Sequence, residues 1–563
     1  MGKTVIIGGV AAGASCAARL RRLKETEDII LLEKGDYISY ANCGLPYHVG
    51  GIIENRGDLL VMKKEMMQAR YGVDVRVNSE VTSINRNEKL VHVAEKDGRE
   101  YEESYDQLVI ATGSSPLKPE IPGMDSERVK TLWTVPDTDE IKAFIKEKKA
   151  KSAVVAGGGF IGLEMAENLH HAGLKVTIVE AANQVMAPLD YEMALLLNET
   201  IRDNGVDLFL GDGVDSFEEK TDGILVKLSS GKEIFSDMVL LSIGVRPNSQ
   251  LAKDAGLKCN ERGGIIVDDH MKTEDPSIYA AGDVAEVVDF IFKDKTMVPL
   301  AGPANKQGRI VADNIAGLST TYKGTQGSSI AKVFDLCAAA TGANEKLLNQ
   351  KGFVKDNDYK SIIITQNSHA GYYPGAKPLI IKLIFSVDGS RIYGGQIVGK
   401  EGVDKRIDTL GTAIRFGASV EELTNMELAY APPFSSGKDP INMAGYVAEN
   451  VLAGLIEVSQ WNETDTDKDA VILDVREKAE LQAFSFDSMI NIPLGQLRDR
   501  LDELDKNKKY IIFCAIAVRS YNAARILMQN GFKHVKIYPA GTRFYISTHR
   551  DFDKVNEEFV CKY

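Results

Sequence analysis

Six cysteines are spread through 563 residues, at Cys16, Cys43, Cys259, Cys337, Cys514 and Cys561. They form no CxxC pair, and neither they nor the eight histidines show a metal-ligand spacing. So sparse a set is no disulfide scaffold, and a special cysteine here is a reduced, reactive thiol. Two of them have a distinctive neighbourhood. Cys43 lies in Ser39-Tyr40-Ala41-Asn42-Cys43-Gly44-Leu45-Pro46-Tyr47. Cys514 follows the apolar run Tyr510-Ile-Ile-Phe and opens the loop Cys514-Ala-Ile-Ala-Val-Arg519-Ser520 ahead of a helix starting near Ser520. Such a loop aims successive N–H groups at the sulfur, and the helix dipole favours its thiolate. The other four cysteines have no motif around them and read as small hydrophobes.

Two glycine-rich turns point to dinucleotides. Gly8 and Gly13 let the chain pass close to a pyrophosphate resting on the positive end of the next helix, although Val10 stands where the middle glycine belongs. Glu33, about 20 residues on, is placed to accept ribose hydroxyls. The second turn has all three glycines, Gly157, Gly159 and Gly162, with Glu180 ending the following strand. A carboxylate there bonds the 2′-hydroxyl of NADH and repels a 2′-phosphate. Ala181 and Ala182 follow, with no arginine to accept that phosphate. NADH is expected over NADPH.

The elements that must hold these turns are legible. Lys3-Thr-Val-Ile-Ile reads as a strand, the Ala/Arg/Leu-rich stretch after Gly13 as a helix, and Ile29-Ile-Leu-Leu-Glu33 as a second strand. The pattern repeats from Ser152 through Lys175-Val-Thr-Ile-Val. The fold class is α/β, with two Rossmann-like dinucleotide-binding domains. Residues 1–115 and 244–327 form the first of them, and 116–243 the second. From 328 to 455, longer alternating strands followed by helices read as an α+β domain. The polar, acidic stretch 456–469 reads as a linker, and 470–563 as a further small α/β unit. Four units match the length at about 150 residues per domain.

Net charge is −13, which argues against nucleic acid or an anionic membrane as the main partner. No apolar stretch approaches the ~20 residues of a membrane helix. Val5 to Ala18 is broken by Gly8-Gly9 and followed by Arg19, Arg21 and Arg22, so it is no signal peptide, and Ile6 excludes a myristoylation site. A soluble, cytoplasmic protein is expected.

Three further segments carry a resemblance. Ala280-Ala281-Gly282-Asp283 after a strand is similar to the second flavin motif of two-dinucleotide flavoproteins, which implies that Asp283 bonds a ribityl chain. Ala111-Thr112-Gly113 resembles their crossover motif. With Gly244 to Pro247 these point to FAD together with NADH. In disulfide reductases of this architecture the flavin-facing thiols form a CxxxxC pair. Here the downstream position is His48, so Cys43 must pair with something external: a small thiol, a persulfide, or oxygen as a sulfenate.

The Ala-Asn-Cys-Gly-Leu-Pro-Tyr segment, the Gly-Gly-Val-Ala-Ala-Gly start and Ala429-Tyr430-Ala431-Pro432-Pro433-Phe434 resemble coenzyme A disulfide reductases, which are single-cysteine pyridine nucleotide-disulfide oxidoreductases. The resemblance covers residues 1 to 450. It implies a homodimer built through the third domain, a Cys43–S–S–CoA mixed disulfide, and Tyr372 and Tyr430 reaching the thiol from the partner subunit. It also implies CoA contacts from Ser15, Arg19, Arg22, Ser39, Asn42 and Lys438. Tyr71 departs from the pattern, standing where a relative is basic; Arg70 or Lys438 is the candidate replacement.

Residues 465 to 563, with Leu473-Asp474-Val475-Arg476-Glu477 and the Cys514 loop, resemble a rhodanese domain. The Cys-to-Arg spacing is one residue shorter than in a tyrosine-phosphatase loop, and Phe513 precedes the cysteine, which suits sulfane sulfur with Arg519 at the loop's end. Ala517 replaces a mid-loop glycine and is expected to strain the cradle. Four functions stay open. They are NADH-driven reduction of CoA persulfide, polysulfide or a related small persulfide at Cys43 with Cys514 handling sulfur; reduction of CoA disulfide beside an inactive rhodanese unit; NADH oxidase or peroxidase chemistry; and sulfur transfer at Cys514.

Overall fold

The Val/Ile runs expected as buried strands form parallel sheets, as strands buried on both faces do. The computed structural model describes residues 2–550, so Cys561 and the end of the 470–563 unit lie outside the described residues. Within them the chain divides into two compact units: residues up to Asn183 with Val206–Gly327, and Gln184–Gly205 with the chain from Ser328 onward.

The first unit holds two five-stranded parallel sheets. One runs Ile278–Ala280, Gln107–Ile110, Lys3–Ile7, Asp28–Glu33, Asp74–Val77. Its first helix, Ala11–Leu23, buries Ala12, Gly13, Cys16, Ala17 and Leu20 and packs against Ala301–Ile315. The approach is close: a Cβ on Gly308 would lie 2.1 Å from the Ala12 carbonyl oxygen. The second sheet runs Asp207–Leu210, Lys175–Glu180, Ser152–Ala156, Met238–Leu241, Val129–Lys130, with the helix Phe160–His171 after its central strand.

The second unit carries a five-stranded antiparallel sheet in the order Ser329–Val333, Leu336–Gly342, Ile392–Gly399, Pro378–Ser386, Tyr359–Asn367. A parallel sheet follows in the order Glu457–Val458, His534–Ile537, Lys509–Phe513, Val471–Asp474, Ile490–Asn491. Among the described residues no helix is long and apolar enough to cross a membrane.

Two expected boundaries need correction. The stretch 456–469 is not a free linker. Glu457–Val458 joins the last sheet, pairing with Lys536 and Ile537, and the Tyr538 hydroxyl donates to the Trp461 carbonyl at 2.8 Å. Three of its five acids are paired as well, Glu463 with Lys536, Asp465 with His549 and Asp467 with Lys509. A polar run looks unstructured when read alone, yet here its charges meet partners far along the chain. Likewise Gln184–Gly205, expected inside the second dinucleotide domain, belongs to the second unit. The cause is an ion cluster. Buried Lys382 lies 2.8 Å from Asp190 and 2.7 Å from Glu345, and also bonds Glu192. Gln396 accepts the Asp190 N–H and donates to its carboxylate, both at 2.7 Å.

Candidate functional site

The two dinucleotide turns are built alike. A Cβ on Gly13 would lie 1.8 Å from the Gly8 carbonyl oxygen, and one on Gly162 1.9 Å from that of Gly157, so helix and strand meet only where side chains are missing. A Cβ on Gly159 would meet nothing within 4 Å, which leaves bare backbone toward an incoming pyrophosphate. Val10 holds negative φ at the helix N-cap (φ −94°), so its side chain is accommodated where the fingerprint has glycine. Glu33 accepts the N–H groups of Gly9 and Gly35, each at 2.8 Å. Glu180 accepts those of Gly158 at 2.6 Å and Ala182 at 2.8 Å. Each carboxylate thus sits against its own glycine loop, where a ribose would lie.

Around the first site, Thr112 donates to the Asn248 carbonyl (2.7 Å), and the Asn248 N–H bonds the Gly113 carbonyl (2.9 Å), clamping the crossover after Ala111. The Gly282 N–H donates to Gln307, and Ser114 donates to Asp283, both at 2.7 Å. Burial holds the Asp283 carboxyl above the usual range. These glycine cradles and carboxylate acceptors fit two bound dinucleotides.

Cys43 occupies a single helical turn, Asn42–Gly44, before the short helix Leu45–Val49. Asn42 ties the turn down by donating to the Trp133 carbonyl at 3.3 Å. His48, where a second thiol would stand, is buried with Nδ1 2.6 Å from the Ile53 carbonyl oxygen. The Cys43 side chain is exposed in this chain, but its surroundings are dry and acidic. Desolvation first, then the Glu164 and Asp283 carboxylates, push the thiol up. Glu164 was not anticipated. It lies on the helix Phe160–His171, which packs against Leu45–Val49, and Tyr47 donates to it at 3.4 Å. Burial pushes its carboxyl up to about 7, aided by Glu167. An acid in the apolar run Phe-Ile-Gly-Leu-Glu-Met-Ala was the signal available.

The positions expected to meet CoA are largely engaged already. Ser15 donates to Asn305 at 2.5 Å, and Arg19 pairs with buried Asp313 at 2.7 Å. Arg22 donates to the Ala18 carbonyl at 2.8 Å and sits 5.6 Å over the Tyr71 ring, so the aromatic departure holds a cation instead of supplying one. Ser39 takes positive φ (44°), with its N–H on the Gly9 carbonyl. Lys438 is exposed.

In the second unit, Tyr372 and Tyr430 stand together, hydroxyl to hydroxyl at 2.5 Å, 76% and 49% exposed. Their loops share a buried post, Arg406, which donates to the Ser368 carbonyl at 2.9 Å, to Asp439 at 3.1 Å and to Ser435 at 3.2 Å. On a helix surface its sequence reads as one more solvated charge, so nothing in the sequence marked it.

Cys514 is fully buried at the loop floor, where the Ser520 N–H reaches its sulfur at 3.4 Å. The helix behind it runs Val518–Gln529. Ala517 is left-handed (φ 69°), the strain expected there, and the loop still closes, with the Tyr521 N–H on the Ala517 carbonyl at 3.0 Å. Arg519 interacts with the thiol but is forked onto Glu480 at 2.6 and 2.7 Å, which holds that carboxyl down to about 2. Cys16 is core, its thiol pushed up to about 12 by burial.

Family profiles match along the chain. Residues 2–308 match the pyridine nucleotide-disulphide oxidoreductases, 328–439 the dimerisation domain of the same proteins, and 458–545 a rhodanese-like domain. Coenzyme A disulfide reductase of Staphylococcus aureus (strain JH9) is 37% identical over 451 residues, 80% of this chain and all of that one. The crystal structure of reduced Bacillus anthracis CoADR-RHD superposes with TM-score 0.94 and 49% identity, covering 97% of this chain and 98% of that one. An NAD-dependent persulfide reductase from A. fulgidus gives 0.91 and 39%, covering 96% and 99%.

Proposed function

The chain belongs to the pyridine nucleotide-disulphide oxidoreductases, and from that premise we propose that it reduces CoA persulfide, polysulfide or a related small persulfide to thiol and sulfide. It is an oxidoreductase acting on a sulfur group; the persulfide substrate is our reading. The observation that carries it is the solitary Cys43, whose potential partner position holds a buried, hydrogen-bonded histidine. A second support is the rhodanese-like domain, since a sulfur carrier has no evident task in plain disulfide reduction.

FAD would be held by Glu33, Asp283 and the Gly8–Gly13 turn, and NADH by Glu180 and the Gly157–Gly162 turn; bound together they would supply a hydride's two electrons. The rest is done by this chain's side chains. Cys43 thiolate attacks the carbon-bound sulfur of R–S–SH; a Cys43–S–S–R bond forms, the S–S bond of the substrate breaks, and the electron pair leaves as HS⁻. Two electrons and the hydride's proton then convert Cys43–S–S–R to Cys43–S⁻ and RSH. Tyr372 and Tyr430, from the second copy in a homodimer built through residues 328–439, orient the substrate or supply a proton. Ser15, Arg19, Arg22, Ser39, Asn42 and Lys438 contact the CoA portion.

The test is anaerobic NADH consumption with CoA persulfide and with CoA disulfide, following sulfide. Turnover on persulfide with one sulfide per NADH, and weak turnover on disulfide, supports the reading. The left-handed Ala517 favours a second reading, a CoA disulfide reductase with an inactive rhodanese domain. Fast disulfide turnover with little response to persulfide establishes that one instead.

A further inference from the structure

Tyr372 and Tyr430 meet hydroxyl to hydroxyl although both are exposed and stand 58 residues apart. Two side chains so open to solvent take their geometry from the backbones that carry them. Those backbones are joined at Ala370, whose N–H bonds the Ser435 carbonyl at 2.9 Å, and at Arg406. The guanidinium comes from the helix Val403–Phe416, on a residue only 1% exposed. Besides its bonds to the Ser368 carbonyl, Ser435 and Asp439, it donates to the Gly402 carbonyl at 3.2 Å and the Phe434 carbonyl at 3.5 Å. Ser368, Phe434 and Ser435 each lie within five residues of one tyrosine or the other. Gly402 makes room for the group: it takes φ 73°, and a Cβ there would lie 2.3 Å from Nη1.

Burying a guanidinium costs several kcal/mol, and an apolar side chain of similar volume often leaves a protein as stable or more so. Here the cost is not fully recovered, because among the described residues the buried Nε–H has no partner. Asp439 balances the charge at 3.1 Å, while other bonds of the guanidinium go to a hydroxyl and carbonyls of the tyrosine loops. Stability is a weak reason for such a residue, and alignment of the two loops is a strong one. We infer that Arg406 is a positioning residue: it presets the hydrogen bond between Tyr372 and Tyr430, so that the pair meets the thiol of the second copy already aligned. This rests on the role given to the two tyrosines above and adds what holds them to it. Misplacing such a pair by about 1 Å is enough to lose about a hundredfold in rate.

The experiment uses full-length, FAD-loaded holoenzyme under anaerobic conditions, with NADH and whichever of CoA persulfide and CoA disulfide the wild type reduces faster. Arg406→Lys, Tyr372→Phe/Tyr430→Phe and the triple variant are compared for kcat and for the rate of flavin reduction by NADH alone. In Arg406→Lys, kcat falls about fivefold or more while flavin reduction is unchanged. In the triple variant, kcat stays within about twofold of the double tyrosine variant, because a residue acting through the tyrosines has nothing left to align. A smaller loss in Arg406→Lys, a parallel fall in flavin reduction, or a further loss in the triple variant overturns the inference. If Arg406→Lys does not fold, Ser435→Ala, which removes one acceptor of the guanidinium, is read by the same criteria. A double tyrosine variant as fast as wild type refutes the role given to the tyrosines, and this inference with it. A wild type that reduces neither substrate refutes the reading of Cys43 on which both rest.

Discussion

Lys382→Met tests whether one ammonium holds Gln184–Gly205 in the second unit. The lysine is buried among Asp190, Glu192 and Glu345, whose ligand oxygens lie within 4.8 Å of one another. Holding Glu345 at about 2 instead of the 4.5 of a free glutamate contributes about 3 kcal/mol. Its pKa is depressed in the folded protein, so that contribution is complete at neutral pH, fades below about 4.5 and is gone near 2. Removing the ammonium forfeits most of it, Lys355 and Ser361 keeping the rest, and leaves three carboxylates repelling one another, for a total loss of about 3–5 kcal/mol at pH 7.5. In the variant the stranded carboxylates take up protons at higher pH than in the unfolded chain. The deficit therefore shrinks by at least about 1 kcal/mol between pH 7.5 and 5. Urea unfolding reports this through Trp461, one of two tryptophans, whose ring lies 5.9 Å from Tyr191, between two of the carboxylates. A Trp133→Phe background removes the other signal. A loss under about 1 kcal/mol would refute the charge argument, and an equal loss at both pH values would assign the effect to packing.

In Glu164→Gln, the charge that opposes Cys43 ionisation is absent. Above pH 7, where the native carboxylate is ionised, Cys43 alkylates faster in the variant; below it the two profiles converge, and parallel profiles would exclude the coupling. Glu180→Gln raises the NADPH-to-NADH preference in kcat/KM about tenfold, while an unchanged ratio would place the ribose elsewhere. Ala517→Gly relieves about 1–2 kcal/mol of left-handed strain and gives back about 0.5–1 kcal/mol in unfolded-chain entropy. The variant therefore matches or slightly exceeds wild type in urea, and a clear loss there would show that the strain is not local.

What was legible in the sequence was local. Strand–glycine–helix units announce themselves because the turn geometry and the apolar period lie within one stretch of chain, as do the Ala-Asn-Cys segment and the Cys514 loop. The engagement of each charge was not legible. Arg19 reads as a free cation until Asp313 meets it from a helix far along the chain, and nothing in the sequence shows that Arg519 shares its charge between Glu480 and the thiol. The same blindness hid Arg406 as the post between the tyrosine loops and made residues 456–469 look like a tether. Composition reports how polar a segment is, and only the fold reports whether that polarity is satisfied.

That supposed tether has a consequence for how sulfur travels. A carrier module on a flexible string searches space, and the string's length sets the effective concentration at which it meets its target. This one is moored. Its Ala540 N–H bonds the Ile363 carbonyl at 3.1 Å, Thr365 donates to the Ala540 carbonyl at 2.8 Å, and Glu457–Val458 enters its sheet as an edge strand. With the domain fixed to the antiparallel sheet, a partner of Cys514 under the proposed function would have to come to a thiol that stays in place, and no tether length would set the rate of their meeting.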